Sequence, residues 1–181
     1  RQKRKSAKMK LDEFCKLNPG FDSDAIRDAM EYAADCHLGT NHKYDTHPYT
    51  IHLKMVYDFG CKHAHLLNAD EVETALAACW THDTIEDTRQ TYNDVKKRCG
   101  EAVAEAVYAV TNEKGRTRAE RANEKYYNGI RENEIATFVK LCDRLANATY
   151  SLNNNQRMLD TYRNEMPHFC QVIYNERFKP M

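Results

Sequence analysis

Apolar residues recur along the chain in three- and four-residue steps, the period of an α-helix. Strand-like alternation never extends beyond a few residues. Ser23 reads as an N-cap, followed by Ile26, Met30, Ala33 and His37 on one face and by Gly39 as the stop. A loop rich in His, Asn and Thr runs from about Thr40 to Pro48. Ile51 to Phe59 suits a short helix closed by Gly60. Asn68 caps the next helix, with a stripe of Val72, Leu76 and Cys79 or Ala78, and this helix delivers His82 and Asp83 near its C-terminal end. Thr91 caps another short helix that ends near Gly100, and Ala102 to Val110 is apolar with Glu interspersed. Gly115 to Glu132 is very polar and reads as an exposed loop entering a helix. Two more inward stripes follow: Ile135, Phe138, Val139, Cys142 and Leu145, then Tyr162, Met166, Phe169 and Ile173. The pattern predicts an all-α, compact, single-domain bundle of roughly six to eight helices.

The length of 181 residues suits one domain. Residues 1–20 read as a basic N-terminal extension and 21–181 as the domain. Arg1, Lys3, Arg4, Lys5, Lys8 and Lys10 make that extension a solvated terminus on the plain reading and a phosphate-attracting arm on the sharper one. The 27 Lys and Arg balance the 27 Asp and Glu, which argues against a nucleic-acid partner. Mean hydropathy is −0.83, and no run approaches the ~18 apolar residues of a membrane span. Seven cysteines without a CxxC pair read as free thiols in a reducing compartment, hence a cytoplasmic location. No apolar signal segment follows the basic start, which disfavours export. The nearest approach to a zinc cluster, Cys61-Lys62-His63-Ala64-His65, has no second half with ligand spacing.

Candidate chemistry concentrates in Thr81-His82-Asp83-Thr84-Ile85-Glu86-Asp87-Thr88. On a helix Asp83 shares a face with Glu86 and Asp87, and three acids on one face call for a cation. His82 beside Asp83 offers one nitrogen and one oxygen ligand. Asp143 lies in an otherwise apolar helix and faces inward, either as a ligand or in an ion pair with Arg144 or Lys140. His52, after Pro48-Tyr49, is the further candidate, against the plain reading of a core or surface histidine.

The order His52 … His82-Asp83 … Asp143 resembles the H…HD…D signature of the HD-domain metal phosphohydrolases. Within them, Pro48-Tyr49-Thr50-Ile51-His52, His82 to Thr88 and Lys140 to Asn147 are similar to the TPYxxH, HDTxEDT and KLADRLxN words of RelA/SpoT-type hydrolase domains and small alarmone hydrolases. The likeness covers roughly residues 24–175. It implies the HD-type helical fold and a divalent metal, usually Mn2+, on His52, His82, Asp83 and Asp143. It further implies that Glu86 and Asp87 orient or deprotonate the attacking water. Asn147 would contact the nucleoside, with Lys43, His42 and Arg144 also facing substrate. The implied reaction removes the 3′-pyrophosphate of (p)ppGpp.

The chain departs from that pattern in the 37–48 loop. Asn41 and His42 stand near the family's paired arginines, one residue is inserted, and only Lys43 is securely cationic. Leu53 replaces a proline and Thr149 an arginine. Each lost arginine removes a phosphate contact of about 1.5–3 kcal/mol. Lys114, Arg116, Arg118 and Arg121 are candidate substitutes, and Tyr126 and Tyr127 could stack on a base or pack in the core. The departures keep three alternatives open: a monophosphate, dNTP, NADPH or cyclic nucleotide as substrate; an inactive nucleotide-sensing HD module; and a nucleic-acid-binding module using the basic arm. Partners on the favoured reading are a nucleotide and a separate alarmone synthetase that makes it. A homo-oligomer is compatible with the sequence, and no membrane is expected.

Overall fold

The computed structural model describes residues 23–181, so the basic extension lies outside the described residues. Among these are ten α-helices, eight of them with eight or more residues, plus two single turns of 3-10 helix and one small hairpin. No helix among the described residues is long and apolar enough to cross a membrane.

Helix α1 (Asp24–Gly39) starts where the Ser23 side chain accepts the Ile26 N–H at 3.2 Å. Its inward face is Ile26, Ala29, Met30, Ala33, Ala34 and His37. The following loop is more ordered than its composition suggests. It forms a hairpin of β1 (Lys43–Tyr44) and β2 (His47–Pro48), paired antiparallel, with Asn41 and Asp45 at φ of 52° and 55°. Asn and Asp tolerate this left-handed backbone, which is how a polar stretch without glycine makes the turns.

Helix α2 spans Thr50–His63 and runs straight through Gly60, where the sequence predicts a stop. A Cβ on Gly60 would lie 2.9 Å from Leu76 Cδ2 and 3.1 Å from Cys79 Sγ. The glycine therefore serves close approach of α2 to α3 (Val72–Thr81) rather than termination. Helix α3 begins at Val72 with Glu71 at its N-cap, and Glu71 Oε2 accepts the Asn68 N–H at 2.8 Å. After it come α4 (Thr84–Asp87), α5 (Tyr92–Cys99) and α6 (Glu101–Val110). Thr91 caps α5 in a reciprocal capping box with Asp94. Gly100, at φ 91°, makes the turn into α6.

The polar 115–132 stretch folds as two short helices, α7 (Arg118–Arg121) and α8 (Glu124–Arg131). The bundle closes with α9 (Glu134–Asn154) and α10 (Gln156–Val172). Helix α9 is the central rod and packs against α2, α3, α6, α8 and α10. Its buried face includes Phe138, Val139, Cys142, Asp143 and Ala146. On α10 the buried positions are Leu159, Tyr162, Phe169 and Val172, while Met166 is exposed, since the inward stripe skips the turn containing Pro167.

Candidate active site

Three helices deliver the central cluster. His52 sits in the first turn of α2, and His82 and Asp83 form the joint between α3 and α4. Asp143 projects from the middle of α9. Thr81 Oγ1 donates to Ala77 O at 2.9 Å, closing the last turn of α3 just before the joint. The four side chains converge. His52 Nε2 lies 3.3 Å from His82 Nε2, 3.4 Å from Asp83 Oδ2 and 3.2 Å from Asp143 Oδ1. His82 Nε2 lies 2.8 Å from Asp83 Oδ2 and 3.8 Å from Asp143 Oδ1. His52, His82 and Asp83 form the one His/Cys/Asp/Glu group among the described residues with ligand atoms close enough to share an ion.

The donor chemistry fits a divalent metal. His82 Nδ1 donates to Cys79 O at 3.0 Å, which leaves Nε2 as the lone-pair nitrogen aimed at the cluster. Two nitrogens and two carboxylate oxygens balance two positive charges. Without a cation, protons must do that work. Burial opposes a charge on His52, yet the hydrogen bonds and charges of Asp143 and Asp83 raise its pKa to about 9. Burial likewise opposes charge on Asp83, but His82 and His52 hold it well below the usual carboxylate range. Asp143 is also held down, against burial, by Lys140 and the two histidines. Lys140 Nζ donates to Asp143 Oδ2 at 2.8 Å, and Tyr49 Oη donates to Asp83 Oδ2 at 2.5 Å.

Beside the cluster stand the two acids of α4. Glu86 is fixed from the end of α6: Asn112 Nδ2 donates to Oε1 at 2.8 Å and the Asn112 N–H to Oε2 at 3.1 Å. Asp87 has its carboxyl pushed up to about 7 by burial, then by the charges of Asp83 and Glu86. Both acids line a cavity of about 530 Å³ together with His52, Asp83 and Asp143. Arg118, Arg121, Arg144 and Glu165 also line this cavity.

Of the residues expected to face substrate, Arg144 and Asn147 line this cavity. Arg144 donates to Glu165 at 2.8 Å and lies over the rings of Tyr162 and Phe169. Lys43 is exposed on β1 and is not part of the lining, nor is His42. The His42 ring stacks on Tyr49, with centroids 3.9 Å apart, and His42 Nδ1 lies 4.0 Å from Asp87 Oδ2. Among the substitute cations, Arg118 and Arg121 line the cavity, while Lys114 lines a separate cleft. Tyr126 and Tyr127 are buried core residues that also reach the cavity wall. Sequence reading missed Tyr44, Asn112 and Glu165 as neighbours of the site. Their spacing carries no signal, because only the fold brings 112 to 86, 165 to 144 and 44 to 147.

A helical bundle in which an adjacent His-Asp pair meets a second His and a distant Asp is the all-α HD fold. No family model matches the chain. The sequence comparisons find similarity to guanosine-3′,5′-bis(diphosphate) 3′-pyrophosphohydrolases. The chain is 34% identical over 132 residues to guanosine-3′,5′-bis(diphosphate) 3′-pyrophosphohydrolase of Aquifex aeolicus, an alignment covering 69% of this chain and 17% of that protein. It is 29% identical over 123 residues to guanosine-3′,5′-bis(diphosphate) 3′-pyrophosphohydrolase MESH1 of Danio rerio, covering 67% of this chain and 66% of the relative. The chain thus spans less than two thirds of the length of these two relatives. Among solved structures, its fold is similar to a metazoan ortholog of SpoT that hydrolyses ppGpp and plays a role in starvation responses. That match has a TM-score of 0.66 and 22% identity, and covers 86% of this chain and 88% of the other.

Proposed function

We propose that this chain is a metal-dependent 3′-pyrophosphohydrolase of (p)ppGpp-like nucleotides. The observation that carries the reading is the convergence of His52, His82, Asp83 and Asp143 at the wall of a cavity that also holds Glu86 and Asp87. The relatives named above share that one activity, which favours it over the other phosphoesters.

His52, His82, Asp83 and Asp143 hold the divalent metal, with Mn2+ the expected ion. When bound, it supplies Lewis acidity toward a phosphoryl oxygen and toward water. Asp87, a half-buried carboxyl beside Asp83 and Glu86 on the cavity wall, takes the proton of the attacking water. Glu86, fixed at both oxygens by Asn112, orients that water. Water adds to the phosphorus on the 3′ oxygen, and the bond from that phosphorus to the 3′ oxygen breaks. The products are the 3′-hydroxyl nucleotide (GDP or GTP) and pyrophosphate. Arg118, Arg121 and Arg144 supply the positive wall that the 37–48 loop lacks. The cytoplasm is the expected compartment.

The test is product analysis with Mn2+ on ppGpp, pppGpp, ppApp, a dNTP, a monophosphate and NADPH, with Asp83→Ala alongside. Pyrophosphate released from the 3′-substituted nucleotides by the wild type, and a loss of 10³-fold or more in the variant, is the expected result. Turnover only of the other compounds would move the function to a different HD phosphohydrolase. Full metal occupancy in Asp83→Ala would remove Asp83 from the ligand set.

A further inference from the structure

The two histidines of the cluster are held differently. His82 is oriented through its outer nitrogen, by the bond to Cys79 O. His52 has no such tether, for its buried Nδ1 has no hydrogen-bond partner. A metal-ligating imidazole almost always fixes its ring through that second nitrogen. Something else has to orient His52, and the hairpin supplies it. The Tyr44 ring stacks on the His52 ring with centroids 4.7 Å apart and planes 16° apart. Tyr49 meets the same imidazole edge-on at 5.3 Å.

Tyr44 also reaches the other side of the cluster. Its hydroxyl donates to Asn147 Oδ1 at 2.8 Å. The Asn147 amide nitrogen in turn donates to Asp143 Oδ1 at 2.5 Å and to Asp143 O at 3.1 Å. An amide can present either its oxygen or its NH2 to a neighbour. A phenol donor at Oδ1 settles which end faces the carboxylate. The tyrosine is itself anchored. Tyr150 packs edge-on against its ring at 4.8 Å and donates to Asp45 Oδ2 at 3.1 Å, on the turn of the same hairpin.

We propose that Tyr44 is a positioning residue for the metal site, clamping His52 by ring stacking and Asp143 through Asn147, so that order in the hairpin sets metal affinity. This rests on the metal-site reading above. It gives Asn147 a task other than reading the nucleoside, because both ends of its amide are already engaged.

The experiment is an Mn2+ titration of the full chain, followed by calorimetry or by the EPR signal of free Mn2+, on wild type, Tyr44→Phe and Tyr44→Ala. Circular dichroism checks the fold. Tyr44→Ala removes stack and lock, and Mn2+ affinity should fall about 10–100-fold. Tyr44→Phe keeps the stack and loses the lock, and the loss should be roughly three- to tenfold, so the test stands even if the alanine variant fails to fold. At saturating Mn2+ the kcat and KM of Tyr44→Phe should return to wild-type values. Mn2+ affinity within twofold of wild type in both variants would overturn the proposal, as would a KM still raised at saturating Mn2+, the mark of direct substrate contact. A wild type that binds Mn2+ without hydrolysing ppGpp, with weakened binding in the variants, would sink the hydrolase reading and uphold this one. A wild type that binds no Mn2+ would overturn both.

Discussion

His52, His82, Asp83 and Asp143 leave helices, or helix joints, whose neighbouring residues are buried in the core, whereas Arg118 and Arg121 leave a four-residue helix with no buried residue. His52, Asp83 and Asp143 of the first group and both arginines of the second line the same cavity. The first is locked by many short contacts. The second is tied to the body chiefly through Glu165, to which Arg118 donates from Nε at 2.5 Å. On the proposed function, the contrast follows from the chemistry each side would serve. A metal needs its donors within tenths of an ångström, so its ligands belong on elements that cannot shift independently. Phosphate recognition by guanidinium groups depends on charge and on a fork that can follow its target. Such groups work from a lightly packed segment.

The strongest challenge to this division is Glu86→Gln. It should cost about 10²-fold in kcat with metal affinity unchanged. An unchanged rate would take Glu86 out of the mechanism, and a lost metal would merge it with the ligand cluster.

Next comes His37, buried on the inner face of α1 and stacked on Tyr49 at 4.5 Å. Burial first, and then His42, depress its pKa to about 4 against the pull of Asp83. The unfolded chain binds this proton from about pH 6.5 downward and the folded one only near pH 4, so stability should drop as pH falls through that window. Urea melts of metal-free protein should show His37→Gln losing about 2 kcal/mol less than wild type between those limits. Parallel acid profiles would show that His37 is not held neutral by the core.

The smallest effect is expected at the rim. Arg118→Ala should raise KM about tenfold, near 1.4 kcal/mol, with kcat and stability nearly unchanged. A fall in kcat as large as that of Glu86→Gln would erase the difference between the two regions.

The same contrast explains what the sequence reveals. The helix starts at Ser23 and Thr91 are local events in which a hydroxyl meets an N–H three residues on, and they are readable from the chain. The Asp143 position is readable too, since a charge in an apolar stripe stands out. Gly60 misleads because the same residue ends helices and lets helices touch, and only Leu76 on another helix distinguishes the two. The hairpin at 43–48 hides behind Asn41 and Asp45, which make left-handed turns that glycine usually signals. Met166 fits the helical period yet stays outside, because nothing packs over that turn. Tyr44, Asn112 and Glu165 owe their positions to tertiary contact alone.

Helix α9 carries Lys140, Asp143, Asn147 and Tyr150 in steps of three, four and three residues, with Arg144 next to Asp143. At 1.5 Å per residue, Lys140 to Asn147 spans about 10.5 Å along one face. One added or deleted residue between Asp143 and Asn147 would turn everything beyond it by about 100°. It would disconnect Asn147 from Asp143 and Tyr150 from the hairpin in one event. That wall of the site is therefore phase-locked: it can be revised letter by letter but not in length.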